Sequence, residues 1–105
     1  MYYIYMLRCE KETIYTGITT DIERRLKEHF NKTEKCAKYT MNNTAKKLEA
    51  LWSTEDRKFA SKLEFYIKRL TKSQKEDLIK NNNIKEIFKD KIEEEKYIRE
   101  NIDKY

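Results

Sequence analysis

The sequence predicts an α+β fold, in which a small antiparallel sheet near the N-terminus is followed and flanked by helices. Three observations predict it. Residues 2–7 (Tyr-Tyr-Ile-Tyr-Met-Leu) form an aromatic and β-branched run, and residues 13–18 (Thr-Ile-Tyr-Thr-Gly-Ile) return after a short charged interval. From Ile22 onward, apolar residues recur every three or four positions, which is the spacing of one helix face. Eight Tyr, four Phe and one Trp supply large side chains to a chain of 105 residues whose apolar fraction is only 38%. That suffices for one core and argues against two.

The first strand is apolar on both alternating faces and stops at Glu10-Lys11-Glu12, so it reads as a central strand. Residues 13–18 are its hairpin partner, joined by a loop without Gly or Asn whose turn type the sequence leaves undetermined. Thr20-Asp21-Ile22-Glu23 has capping-box spacing and predicts a helix over residues 21–30. Ile22, Leu26 and Phe30 form its apolar stripe, with Arg25 and His29 together on the stripe's edge. Residues 31–45 are polar and read as a loop. Residues 47–53 fit a strand or a helical turn, with the strand favoured. A second helix is expected over residues 57–70 through Phe59, Leu63, Tyr66, Ile67 and Leu70. Thr71-Lys72-Ser73-Gln74 offers a capping box for a third, ending near Lys80 before Asn81-Asn82-Asn83.

Residues 84–105 keep helical spacing through Ile84, Ile87, Phe88, Ile92, Ile98, Ile102 and Tyr105, and so predict an amphipathic helical extension. The extension is expected to pack back on its own domain, which favours a monomer, with a dimer through that helix as the other option. Charge divides along the same boundary: residues 1–83 hold 18 basic and 12 acidic side chains, residues 84–105 hold 6 and 7. An excess of +6 on the first part and −1 on the second places any polyanion-binding surface on residues 1–83. Cys9 and Cys36 lack metal-ligand spacing and read as reduced thiols of a cytoplasmic protein. The apolar run at 2–7 is too short to span a bilayer and lacks a basic leader, so no membrane anchor is expected.

Hydrolysis of a phosphodiester needs a base for water, positive charge for the phosphoryl oxygens and, commonly, a metal for the leaving oxygen. Tyr5 and Tyr15 would lie on adjacent strands, Gly17 leaves open backbone beside Tyr15, and the capped helix brings Arg25 and His29 to the same neighbourhood. A phenol is a poor base at neutral pH, but a nearby guanidinium or metal favours the phenolate. Taken singly, each tyrosine reads as core and His29 as a hydrogen-bonded surface residue; the ordered combination is what points to chemistry.

Tyr3-Ile4-Tyr5 and Tyr15-Thr16-Gly17, with Arg25 ten residues and His29 fourteen residues beyond Tyr15, resemble the ordered motifs of the GIY-YIG nuclease superfamily. Tyr3 stands where the first motif normally has Gly. The segments Tyr15 to Arg25, Ala37-Lys38-Tyr39-Thr40 and Glu64 to Lys72 look like the small bacterial YhbQ-like subgroup, and the likeness covers residues 2–80. It implies a three-stranded antiparallel sheet flanked by helices over residues 1–83, with residues 84–105 outside it. Glu64 is, on that resemblance, the ligand of one Mg²⁺ or Mn²⁺; without it, Glu64 would read as the i,i+4 partner of Lys68.

The activity implied is a metal-dependent endonuclease acting on nucleic acid, with DNA favoured. Either Tyr5 or Tyr15 assists deprotonation of water, Arg25 neutralises phosphate, and His29 positions or shuttles a proton. The alternative is a nucleic-acid-binding module with weak or partner-dependent catalysis; an adaptor that recruits a partner through its tail is a third option. Lys38, Tyr39, Lys46, Lys47, Arg57 and Lys58 are the expected phosphate and stacking contacts.

Overall fold

A computed structural model of the protein describes residues 1–31 and 43–105. Among these residues, four strands and four α-helices follow in the order β1 (Tyr2–Cys9), β2 (Ile14–Thr19), α1 (Ile22–Phe30), β3 (Ala45–Thr54), α2 (Arg57–Lys68), α3 (Lys72–Asn81), α4 (Ile84–Phe88) and β4 (Ile98–Arg99). The sheet is antiparallel throughout, in the order β2-β1-β3-β4. The α+β class and the three expected strands are therefore present, and a fourth strand joins them.

Being central, β1 is apolar on both faces because both are covered. Ile4 and Met6 point into a core with Ala50, Trp52, Ala60, Leu63, Ile67 and Leu78, beneath α2 and α3. Tyr5 and Leu7 point the other way, into a second cluster with Ile22, Leu26, Leu48 and Leu51, beneath α1. The loop between β1 and β2 turns through Glu12 at φ 59. Asn43 fastens it, accepting from Lys11 N at 3.0 Å and donating to Thr13 Oγ1 at 2.6 Å. A non-glycine residue is held in the left-handed region by these bonds, which is why no turn signature marks the loop.

The start of α1 differs from the capping box expected at Thr20. Asp21 is the cap, in extended backbone, and its side chain accepts from Arg24 N at 3.2 Å. A carboxylate caps as well as a threonine hydroxyl and adds negative charge to the positive end of the helix, so the nearer residue takes the role. At α3 the expected box is present, with Thr71 and Gln74 bonded reciprocally. Asn82, left-handed at φ 49, ends that helix and accepts from Trp52 Nε1 at 2.9 Å.

The extension is only partly the amphipathic helix expected of it. Five residues, Ile84–Phe88, are α-helical; single 3₁₀ turns follow at Lys89–Lys91 and Glu94–Lys96, and the chain then becomes β4 on the free edge of β3. Ile84, Phe88, Ile92 and Tyr97 belong to the core under α2 and α3, whereas Ile102 packs in the cluster under α1. Helical spacing arose because a chain wrapping round a sheet edge also returns to the core every few residues. Strand pairing won because β3 presents unsatisfied edge groups: Glu100 N donates to Leu51 O at 2.8 Å.

Candidate active site

Antiparallel register places Tyr5 opposite Gly17 and Leu7 opposite Tyr15, so the two phenols rise from neighbouring strands on the α1 face. The Tyr5 ring lies across Gly17. A β-carbon there would stand 2.5 Å from Tyr5 Oη and 2.6 Å from Tyr5 Cζ. Gly17 has no positive φ, so its role is to vacate space for a ring and not to adopt a special backbone shape.

From α1, His29 and Arg25, one turn apart, approach this phenol. Tyr5 Oη and His29 Nε2 are 2.9 Å apart and both side chains are buried. Arg25 Nε donates to the same oxygen at 3.4 Å, and Arg25 Nη1 donates to Glu28 Oε1 at 2.8 Å. Tyr15 completes the cluster, its ring centroid 6.2 Å from that of Tyr5 and 5.4 Å from that of His29. On the β2 side stand two residues of α2: Lys68 Nζ lies 5.9 Å from the Tyr15 ring centroid and 3.4 Å from Glu64 Oε2. Glu64 is close enough for its charge to act on the Tyr5 phenol.

Burial governs the acid–base state of the pair. It pushes Tyr5 up to about 12, outweighing the hydrogen bond and charge of Arg25, which act the other way. The phenolate expected from the neighbouring guanidinium is thus not the resting form, because removing a phenolate from water costs more than one 3.4 Å contact returns. Burial likewise pushes His29 down to about 4, reinforced by Arg25 and opposed by Glu28. At neutral pH the site therefore holds a neutral imidazole and a neutral phenol with one proton between them.

The structure brings Tyr5, Tyr15, Gly17, Arg25, His29 and Glu64 to one place. Other expected contact residues lie apart or are already engaged. Lys46 pairs with Glu12 at 3.1 Å and Lys47 with Glu49 at 3.5 Å, while Arg57 and Lys58 are exposed in the first turn of α2. Lys38 and Tyr39 fall outside the described residues. Glu28 was not anticipated; its signal was its place three residues after Arg25 on the same helix, a spacing at which a carboxylate meets a guanidinium.

A single partly exposed carboxylate, Glu64, is a hard oxygen donor of the kind Mg²⁺ or Mn²⁺ accepts. No group of three His, Cys, Asp or Glu among the described residues could form a closed metal cage. The donor set fits an ion whose remaining ligands are water and substrate oxygens.

A small antiparallel sheet carrying paired tyrosines, with an arginine and a histidine on the following helix, defines a GIY-YIG catalytic domain. The profile of that domain matches residues 1–77, and the chain belongs to this nuclease superfamily. Its relatives place it in the small UPF0213, or YhbQ-like, subgroup. It is 42% identical to a UPF0213 protein of Clostridium perfringens, over 82% of this chain and 90% of that one. To the UPF0213 protein YsiG of Lactococcus lactis it is 40% identical, over 88% of each chain. The solution NMR structure of a UPF0213 protein from Bacillus halodurans is similar in fold, with a TM-score of 0.50 at 36% identity over 76% of this chain and 84% of that one. Among the described residues, no helix is long and apolar enough to cross a membrane.

Proposed function

We propose that this chain is a divalent-metal-dependent endonuclease that hydrolyses phosphodiester bonds in nucleic acid, with DNA the favoured substrate. The observation that carries the reading is the double contact at Tyr5 Oη, which touches His29 Nε2 on one side and Arg25 Nε on the other. Tyr5 alone is too weak an acid and its phenolate too scarce to serve as a base. Coupled to an unprotonated His29, it can take a proton from water while passing its own to Nε2, so no free phenolate need accumulate. The guanidinium on Oη stabilises negative charge as it develops there. Arg25 Nη1, held on Glu28 at rest, turns to the phosphoryl oxygens when substrate displaces that carboxylate. Glu64 would hold the metal, which when bound supplies Lewis-acid stabilisation of the leaving oxygen.

The test is cleavage of labelled single-stranded, duplex and branched DNA and of RNA, with Mg²⁺, Mn²⁺ or EDTA, by the wild type and by Tyr5→Phe, Arg25→Ala and Glu64→Ala. Metal-dependent cleavage is expected, reduced at least ~100-fold by Tyr5→Phe, the contribution of a positioned proton carrier. Undiminished cleavage by Glu64→Ala, or in EDTA, would refute the metal assignment. One observation favours the alternative of a binding module with weak or partner-dependent catalysis: Tyr5 is 1% exposed and Arg25 is closed over by Glu28. Salt-sensitive binding without cleavage of any substrate is its signature.

A further inference from the structure

Helix α2 buries Ala60, Leu63 and Ile67 against the sheet. At 100° per residue, Lys58, Lys62, Phe65 and the helix-capping Arg69 fall within about 60° of one another on the opposite side. All four are exposed. Phe65 is the unusual member, because it is 49% exposed in the middle of a helix. Among the described residues, the other large apolar side chains left in solvent are Met1, Tyr105 and, on the edge strand, Ile98. The Arg69 guanidinium lies 4.2 Å from the Phe65 ring centroid, and the Tyr66 ring meets Phe65 edge-on at 5.3 Å.

Charge separates this stripe from the cluster of Arg8, Lys46 and Lys47. Arg8, Lys46 and Lys47 are each paired with a carboxylate. Among the described residues no carboxylate pairs with Lys58, Lys62 or Arg69. The stripe spans about 16 Å of helix, and it borders the candidate active site: Glu64, adjacent to Phe65, and Lys68, adjacent to Arg69, are the residues α2 presents to Tyr5 and Tyr15.

Uncompensated cations interleaved with an exposed aromatic ring match a strand whose phosphates pair with the cations while a base stacks on the ring. We infer that this face of α2 is the track that holds nucleic acid for the active site, with one unpaired base stacked on Phe65 and the neighbouring phosphates on Lys58, Lys62 and Arg69. Paired bases keep both faces inside the duplex, so Phe65 distinguishes an unpaired segment from a continuous double helix. Arg69, its guanidinium over one face of the ring, holds it ready for a base on the opposite face and adds its charge to the same nucleotide. The inference rests on the nuclease reading and adds the surface by which substrate reaches it.

The experiment is fluorescence anisotropy in EDTA, so that binding is read without cleavage. The probes are a labelled single strand of about 20 nucleotides and the blunt duplex of the same sequence. Phe65→Ala is expected to weaken single-strand binding roughly tenfold or more, the loss of one base stack, and duplex binding by less than about twofold. Phe65→Trp should restore the single-strand affinity. Lys62→Glu with Arg69→Glu should weaken both probes and lower the single-strand salt slope by about 1.4, two phosphate contacts' worth. Lys85→Glu, a charge reversal on α4, should do much less. Unchanged single-strand affinity in Phe65→Ala, or an equal loss on the duplex, would overturn the inference while leaving the nuclease reading intact. Failure of the wild type to bind the single strand would likewise overturn the inference, and the cleavage assay decides the nuclease reading separately.

Discussion

Gly17, the single glycine in the chain, offers the sharpest test of the site's geometry. A methyl group added there would meet Tyr5 Oη at 2.5 Å, Tyr5 Cζ at 2.6 Å and Tyr15 Cε2 at 3.2 Å. Unstrained contacts lie near ~3.5–4 Å, so the Tyr5 ring must move by about 1 Å. It has little room to do so, being 1% exposed and bonded to both His29 and Arg25. Gly17→Ala is therefore expected to destabilise by about 1–3 kcal/mol as overpacking, read as a fall in Tm of roughly 5–15 °C in calorimetry or thermal circular dichroism. Cleavage should drop about 100-fold, the usual effect of a 1 Å misplacement of a reacting group. The sign supplies the control. With no positive φ at Gly17, alanine should otherwise stabilise by about 0.4–1 kcal/mol through the unfolded chain. In a Tyr5→Leu background, where no ring crosses the strand, Gly17→Ala should thus be neutral or stabilising, and the two changes should not add. Unchanged Tm and cleavage in the single variant would refute the steric account.

Two further expectations concern stability. His29 is held down to about 4 in the fold, against about 6.5 when unfolded, so between those values the unfolded chain binds the extra proton. Its contribution is fully present above pH 6.5 and is lost as pH falls, by about 2.5 kcal/mol at pH 4.5; urea unfolding at pH 7.5 and 4.5 should show the loss, and His29→Gln should remove it. Deleting residues 84–105 strips Ile84, Phe88, Ile92 and Tyr97 from the core. At about 1.5–3 kcal/mol each this approaches the whole stability of a domain, so the truncated chain should be unfolded by circular dichroism; a cooperative melt near the wild-type Tm would show that the extension is dispensable.

Most of the sheet and helices could be read from local pattern because here local pattern and tertiary demand agree. Residues 2–7 are apolar on both faces since the strand is central, and Thr71 caps α3 with the partner its spacing required. The extension could not be read the same way. Its apolar residues serve two opposite faces of one sheet, with Ile92 and Tyr97 on one and Ile102 on the other. A one-dimensional periodicity cannot distinguish a helix laid on a surface from a chain rounding an edge, and the deciding fact, an open β3 edge, lies some fifty residues away in sequence.

The site divides along similar lines. Spacing was enough to assemble Tyr5, Tyr15, Arg25 and His29, because strand register and helix turn are fixed by residue number. It was not enough to assign their charges. Arg25 suggested a phenolate at Tyr5, yet the same folding that aligns the guanidinium also strips the phenol of water, and desolvation dominates. Glu28 then takes up part of the Arg25 charge. The result is a neutral Tyr5–His29 pair beneath a closed ion pair, a resting state that keeps its base unprotonated down to about pH 4 and its guanidinium occupied. In the proposed mechanism an incoming phosphate displaces Glu28 from Arg25 Nη1, so the same contact that quiets the site would also make it respond to the anion it is proposed to cut.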